Sequence, residues 1–502
     1  MKITQSWTSG YRGNLLALFA GCIFPLGFAP INWWPLTLIS VVLFIPLLDG
    51  QTAARAALRS WLYGFGFYAV GVSWVYISIN TYGYTPQWLS ILLTGLFAAG
   101  LALFFALFGW SYQKLKLEQL YWLSFPCWWI TFEWVKAWFL SGFPWLYVGN
   151  AFIDTPMSGL APVTGVLGIS WAVVFSAGLL VYAIKRPAKQ KLALLGVAAI
   201  WGGSYFLQQQ TWVAPSITNS LDIALVQGNI PQEKKWDPKE RDNIIHTYMR
   251  NTDPNWNQDV IIWPEAALPV FYQEAIELTS RLTLKAKDTD TALITGTPYW
   301  RNVAGEYLYY NSILSIGNGS GVYHKQRLVP FGEYVPLEQY IRGLIPFFDM
   351  PLSSFSRGEQ NQQPLIAADA SFAPFICYEI VYPELVRSLG KDADYLITVS
   401  NDAWFGSSWG PHQHFQIVRM RALEMGKYLV RGTNTGITAI IDYKGEVLSS
   451  LPQFEEGVLK GTIYTTQGST PYQKYGWWPV LVVSFMVTIG IFALHPRRVK
   501  TD

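Results

Sequence analysis

The sequence predicts a polytopic α-helical membrane domain of about eight spans joined to a water-soluble α/β domain. Two patterns carry that prediction: the places where charges are missing, and the places where short β-rich runs alternate with helical ones. Charged residues make up 14% of the 502 residues, against roughly 25% in soluble proteins, and the deficit is local. From Gly13 to Gln113 the only charged residues are Asp49, Arg55 and Arg59, whereas from Gln208 to Gln473 acids and bases are ordinary in number. The net charge of +3, with no clustered basic stripe, is too small to imply a nucleic-acid partner, and none is expected.

A spanning helix needs about 20 mostly apolar residues. Candidate spans run approximately over 14–29, 33–49, 57–79, 87–111, 120–140, 160–184 and 191–208, with an eighth at 476–494. The first two are short and contain Pro25 and Pro35. The first resembles a secretory leader, yet no small-residue cleavage site follows it and more spans do, so it is expected to be retained. Division at the ends of these runs gives a membrane domain over 1–208 with about seven helices, a soluble domain over 209–474, and a last helix with a basic tail over 475–502.

Positive charges set the orientation. Lys2 and Arg12 precede the first span; Arg55 and Arg59 follow the second; Lys114 and Lys116 follow the fourth; Lys185, Arg186, Lys189 and Lys191 follow the sixth; Arg497, Arg498 and Lys500 follow the eighth. The alternate connections near 30–32, 80–86 and 141–159 hold no Lys or Arg. Both termini are therefore expected in the cytoplasm, and the soluble block on the outer face of the membrane. The outward connections, such as NTYGYTPQW and SGFPWLYVGNAF, are aromatic, as interfacial belts are. Glu133 and Lys136, three apart near the outer end of the fifth span, are placed to pair on one helix face.

The soluble block reads as strands at 221–229, 259–265, 291–299, 309–316, 372–379 and 393–401, with helical stretches at 237–251 and 272–287 and paired strands near its end. That is an α/β or layered α+β domain with helices covering sheets. Three of its strand ends matter. IIWPEAALP puts Glu265 just past a strand, GVYHKQRLVPFGEYVP puts Lys325 and Glu333 after another, and FICYE puts Cys377 after a third. Strand carboxyl ends are where such sheets gather ligand-binding groups. A cysteine is activated as a nucleophile by a carboxylate that takes its proton. An ammonium beside it favours the thiolate and stabilises an oxyanion, and the N–H of Tyr378, at the strand-to-helix turn, is expected as a second donor. The product of such chemistry is a thioester. Taken singly, each residue also fits a structural part: a buried strand-end cysteine, a loop glutamate, a solvated lysine, or Glu333 as the partner of Arg327. Cys22 and Cys127 lie in apolar runs and read as small hydrophobes, so no disulfide framework is implied.

Together, the WPE, HKQRLVPFGEYVP, CYE and NDAWFG motifs resemble the nitrilase superfamily, whose members carry a Glu-Lys-Cys triad in an αββα sandwich. Joined to the flanking spans, the pattern resembles the apolipoprotein N-acyltransferases of bacterial inner membranes, over essentially the whole chain. The resemblance implies that Glu265 is the general base, Lys325 the oxyanion stabiliser and Cys377 the acylated nucleophile. It makes Glu333 a second glutamate orienting Lys325 or assisting proton transfer, with Tyr378 and Glu379 beside the nucleophile. It further implies a periplasmic catalytic domain, no cofactor, and two membrane-borne partners. These are a phospholipid acyl donor, typically phosphatidylethanolamine, and a diacylated apolipoprotein whose α-amino group accepts the chain.

Trp404, Phe405 and Trp409, in SNDAWFGSSWGPHQHFQ, are expected near the acyl or head-group pocket. The apolar segment 340–355, with Phe347 and Phe348, is expected to form a lipid-facing lid. His412 and His414, two apart and without a third ligand nearby, do not make a metal site, and His246, His324 and His495 show no metal-binding spacing. Two other functions fit parts of the pattern. A membrane-tethered amidase or nitrilase would pass its acyl group to water, and a transport or binding scaffold would carry a degenerate outer domain.

Overall fold

The computed structural model describes residues 10–336 and 354–493. The proposed lid with Phe347 and Phe348, apart from residues 354 and 355, and His495 lie outside them. The chain divides into two compact units: Met1–Tyr76, Trp88–Gln210 and Tyr475–Asp502 form one, and Ile77–Gln87 with Thr211–Lys474 the other.

The first unit is helical, with helices Gly10–Ile23, Trp34–Phe44, Ala53–Gly71, Gln87–Lys114, Tyr121–Lys136, Ala161–Lys185, Gln190–Gln208 and Trp478–Ala493. Proline sets two of the boundaries. Pro25 lies in the tight turn Phe24–Gly27 that ends the first helix, and Pro35 lies in the first turn of the second, where a missing N–H costs nothing. Two of the helices touch through glycines: a Cβ on Gly21 would fall 2.0 Å from the Tyr63 carbonyl oxygen, and one on Gly66 2.5 Å from that of Leu18. Small residues permit such close helix contact in lipid.

By length and hydropathy two of the described helices suffice to cross a membrane, Gln87–Lys114 and Pro156–Lys185, and a third if Ala53–Gly71 and Val75–Tyr82 are one bent span. The expectation of about eight spans is thus met for two or three. Trp34–Leu48 and Trp478–Ala493 are apolar but shorter. Glu133 and Lys136 are both buried, and both bind the segment that follows their helix. Glu133 Oε1 accepts from Val148 N at 3.0 Å, and Lys136 Nζ donates to the Trp145 carbonyl at 2.9 Å. They clamp a connection to its helix, which accounts for two ionisable groups inside an apolar unit.

The second unit holds two sheets. One has strands in the order β13-β1-β2-β3-β4-β6, the other β12-β11-β10-β9-β8-β7-β5. In chain order the strands are β1 Val213–Gln227, β2 Val260–Ile262, β3 Ala292–Val303, β4 Glu306–Gly317, β5 Gly319–Ser320, β6 Val322–His324, β7 Leu365–Ala367, β8 Ala370–Ile376, β9 Tyr395–Ser400, β10 Leu429–Thr433, β11 Thr438–Ile441, β12 Val447–Leu451 and β13 Gly457–Gly468. Side chains alternate across each strand. Ile223 and Leu225 of β1 therefore pack, with Ile262 and Ile294, against Ile376, Ile397 and Val430 of the other sheet. Ala224 and Val226 face the opposite way, onto Ile244 and Tyr248 of helix Arg241–Thr252 and Leu282 of helix Ile276–Asp288. Both faces of the central strands are buried, so these strands read as continuous apolar runs. Helices Pro383–Gly390 and Gly410–Met425 accompany the second sheet, which completes four layers, αββα.

Candidate active site

Three strands deliver the three candidate groups. β2 continues through Trp263 and Pro264 to Glu265, β6 ends one residue before Lys325, and β8 ends one residue before Cys377. β2 runs parallel to β1 and β3, and β8 parallel to β9. Glu265 and Cys377 thus lie just beyond the carboxyl ends of parallel strands, the place where α/β sheets collect ligands. The backbone is held in the left-handed region at both places, with φ of 47° at Ala266 and 52° at Cys377. For a residue with a Cβ this costs about 1–3 kcal/mol, a strain that surrounding contacts must maintain. β3 approaches the Glu265 turn so closely that a Cβ on Gly296 would lie 2.6 Å from Ala266 N and 2.8 Å from the Glu265 Cα; only glycine fits there.

The side chains converge. Lys325 Nζ donates to Glu333 Oε1 at 2.8 Å and lies 3.7 Å from Glu265 Oε1. Asn311 Nδ2, from β4, reaches both carboxylates, Glu265 Oε1 at 2.7 Å and Glu333 Oε1 at 2.9 Å. Glu265 Oε2 accepts from Asn401 N at 2.8 Å, and Glu333 Oε2 from Val329 N at 2.9 Å. Lys325 is only 1% exposed. Burial alone would lower its pKa, but Glu333 and Glu265 outweigh that and raise it, so it stays an ammonium. The Cys377 thiol is pushed above its ordinary value, first by burial and then by the Glu265 charge, with Lys325 opposing. At rest the site therefore holds a neutral thiol beside a carboxylate and an ammonium, so ionisation of the sulfur requires proton transfer.

Glu379 is fully buried and binds the Lys325 loop to the Cys377 turn. Its Oε1 accepts from Gln326 N at 2.6 Å, Arg327 N at 3.1 Å and the Tyr323 hydroxyl at 2.9 Å, while Oε2 accepts from Ile376 N at 2.8 Å. Burial lifts its pKa to about 7 against those donors. In Glu379→Gln, whichever way the amide turns, its NH2 faces an N–H donor. We expect a loss of about 1–3 kcal/mol, the cost of a buried unsatisfied group, read as a lower melting temperature in detergent. Thioester formation falls in parallel, because Lys325 and Cys377 lose their common anchor. Wild-type stability together with wild-type acylation in this variant contradicts the anchor role.

Tyr378 is 8% exposed and meets Tyr382 edge to face. Trp404 belongs to the turn Asp402–Phe405; its ring meets Tyr82 edge to face, and its carbonyl accepts from the Ser78 hydroxyl at 2.8 Å. Phe405 follows it and accepts at its carbonyl from the Ser408 hydroxyl at 2.6 Å. Sequence reasoning did not single out Asn311 or Lys235. Lys235 Nζ donates to the Glu265 carbonyl at 2.9 Å, and burial lowers its pKa to about 8, with the Glu265 charge opposing. The available signals were an amide inside an apolar strand (YYNSILSI) and the second lysine of PQEKKW, both too common to stand out. A cleft of about 310 Å³ follows the Glu265 turn in sequence, lined by Trp236, Val270 and Phe271 with Arg241 and Glu274.

Residues 20–179 match the family described as Apolipoprotein N-acyltransferase N-terminal domain, and residues 222–472 match Carbon-nitrogen hydrolase. Full-length relatives extend both matches. The chain is 44% identical to an apolipoprotein N-acyltransferase of Pseudomonas syringae pv. tomato, with 98% of each chain covered. It is 44% identical to one of Azotobacter vinelandii, covering 98% of this chain and 96% of the relative. It is 43% identical to one of Vibrio cholerae, covering 93% and 94%. The chain belongs to the apolipoprotein N-acyltransferase family. It is an acyltransferase with an amino-terminal helical region and a nitrilase-like sandwich, as the motifs implied. In this apolipoprotein N-acyltransferase-type chain every candidate site residue, from Glu265 to Phe405, falls within the carbon-nitrogen hydrolase match at 222–472.

Proposed function

We propose that the protein moves an acyl chain from a phospholipid, through a thioester on Cys377, to the α-amino group of a diacylglyceryl-cysteine lipoprotein. The observation that carries this reading is the convergence of Glu265, Lys325 and Glu333 on a neutral, partly exposed thiol, in a chain related along its length to apolipoprotein N-acyltransferases. In the first half-reaction Glu265 takes the thiol proton as sulfur attacks the ester carbonyl, and Lys325 Nζ with the Tyr378 N–H stabilises the oxyanion. The tetrahedral intermediate collapses and expels the glycerol oxygen, which takes the proton from Glu265 and leaves as lysophospholipid. In the second, the neutral amine attacks the thioester, Glu265 takes the amine proton, and the departing sulfur is reprotonated. Glu333 and Asn311 hold Lys325 and Glu265 in register throughout.

The donor is a phospholipid of the outer leaflet, phosphatidylethanolamine in the first instance. The cleft lined by Trp236, Val270 and Phe271 together with Arg241 and Glu274 suits an amphipathic molecule with both charges in its head group. The eight apolar runs of the sequence form the spans of an inner-membrane protein, with both termini cytoplasmic and the catalytic unit periplasmic. The alternation of Lys and Arg across the connections supports that orientation. The test is incubation of the purified protein with phospholipid carrying a labelled sn-1 chain and a synthetic diacylated lipopeptide. Label on the peptide amine is the expected result. Label recovered only as free fatty acid overturns transfer in favour of hydrolysis.

A further inference from the structure

Behind the nucleophile lies a buried group that the chemistry above does not use. His414, on helix Gly410–Met425, is 1% exposed, and its Nε2 lies 3.1 Å from the carbonyl oxygen of Cys377. A carbonyl only accepts, so Nε2 carries a proton whether the ring is neutral or charged. The ring is fixed from its other side. Nδ1 lies 3.2 Å from Asp402 Oδ1 and 3.2 Å from Arg431 Nη2. Arg431 in turn pairs with Asp402 Oδ2, and its Nε donates to the Ile437 carbonyl at 3.1 Å. Asp402 and Arg431 are 1% and 0% exposed, so two opposite charges neutralise each other inside the domain and hold an imidazole against one peptide bond.

That peptide bond is the one that matters. The carbonyl of Cys377 and the N–H of Tyr378 belong to one planar unit, and in a trans peptide they point in opposite directions. Anchoring the carbonyl on His414 therefore fixes the direction of the Tyr378 N–H. It also restrains the left-handed turn at Cys377, where φ is 52°. We propose that His414, held by Asp402 and Arg431, is a positioning residue that orients the Cys377–Tyr378 peptide as an oxyanion donor. This role rests on the acyl-transfer reading, because only an acyl carbonyl generates the oxyanion. It gives the histidine of GPHQHFQ a task without a metal, and it places the buried Asp402–Arg431 pair in the active site's support rather than in packing alone.

The test compares three proteins with Cys377 intact: wild type, His414→Leu, and His414→Gln, whose amide NH2 can take the position of Nε2–H. Two rates are read at Cys377 by mass spectrometry, acylation by phospholipid and alkylation by iodoacetamide, a displacement at a saturated carbon that forms no oxyanion. The expected result is a fall of about 10- to 100-fold in acylation for His414→Leu, below the full loss of an oxyanion donor. Its half-saturating phospholipid concentration and its alkylation rate stay within about twofold of wild type, the range in which removal of a transition-state interaction leaves ground-state binding untouched. His414→Gln recovers most of the acylation rate. Acylation of His414→Leu within twofold of wild type overturns the proposal, as does a Gln variant as slow as Leu. Equal falls in acylation and alkylation also overturn it, since they mean that the turn has collapsed. A wild type that alkylates but never acylates refutes the acyl-transfer reading itself, a distinct outcome.

Discussion

Lys325→Met is expected to lower the rate of thioester formation by about 10²–10³-fold, the scale of a lost oxyanion donor, and to destabilise the catalytic unit at the same time. The two effects have different origins. Lys325 Nζ sits 2.8 Å from Glu333 Oε1 and 3.7 Å from Glu265 Oε1, and Asn311 Nδ2 holds these same two oxygens. Without the ammonium, two largely buried carboxylates face each other across one amide. Breaking a buried ion pair from one side costs about 3–5 kcal/mol. Lys235, on the Glu265 carbonyl, remains as a distant cation and moves the expected loss toward the lower end. The double variant Lys325→Met/Glu333→Gln removes one of the stranded charges. It should regain much of the melting temperature while acylating no faster than Lys325→Met, a coupling that a double-mutant cycle measures directly. A stable, fully active Lys325→Met would remove lysine from both tasks.

Glu265→Gln separates proton transfer from electrostatics. The amide cannot take the thiol proton, and general-base catalysis contributes about 10²–10⁴-fold, so thioester formation should drop by that order. The pH dependence should change as well. In the wild type the thiol pKa is raised by burial first and by the Glu265 charge second. Replacing Glu265 removes the second cause, so the thiol of the variant ionises at lower pH than in the wild type, while burial continues to raise it. Residual acylation by Glu265→Gln should therefore climb as pH rises through the alkaline range, where more of the sulfur is already thiolate. Wild type, with its base in place, needs no such assistance and should vary less. A variant with a flat pH profile and a wild-type rate would show that another group removes the proton.

The site was legible in the sequence to the extent that its chemistry sits at strand ends. Glu265, Lys325 and Cys377 each follow an apolar run by one to three residues, and all three are gathered in one place. What supports them was not legible. Asn311 lies in the middle of a strand, where its neighbours look like any β-run, and Asn401 contributes a backbone N–H that any residue could supply. The spacing of His412 and His414 argues only against a metal and points to no other role, because the carbonyl that His414 meets is 37 residues away along the chain. The layered domain followed from the alternation of strands and helices, since strands buried on both faces leave long apolar runs. The spans were less secure. Hydropathy marks where apolar residues lie, whereas Pro25 and the break between Gly71 and Val75 decide where helices stop.

Intact-mass measurement of the wild type and Cys377→Ala in detergent, after incubation with phosphatidylethanolamine and then with a diacylated lipopeptide, addresses the central claim most directly. One acyl adduct on the wild type alone, discharged onto the peptide amine when the lipopeptide is added, is the predicted result. An adduct that also forms on Cys377→Ala, or transfer to the peptide by that variant, would contradict a thioester on Cys377.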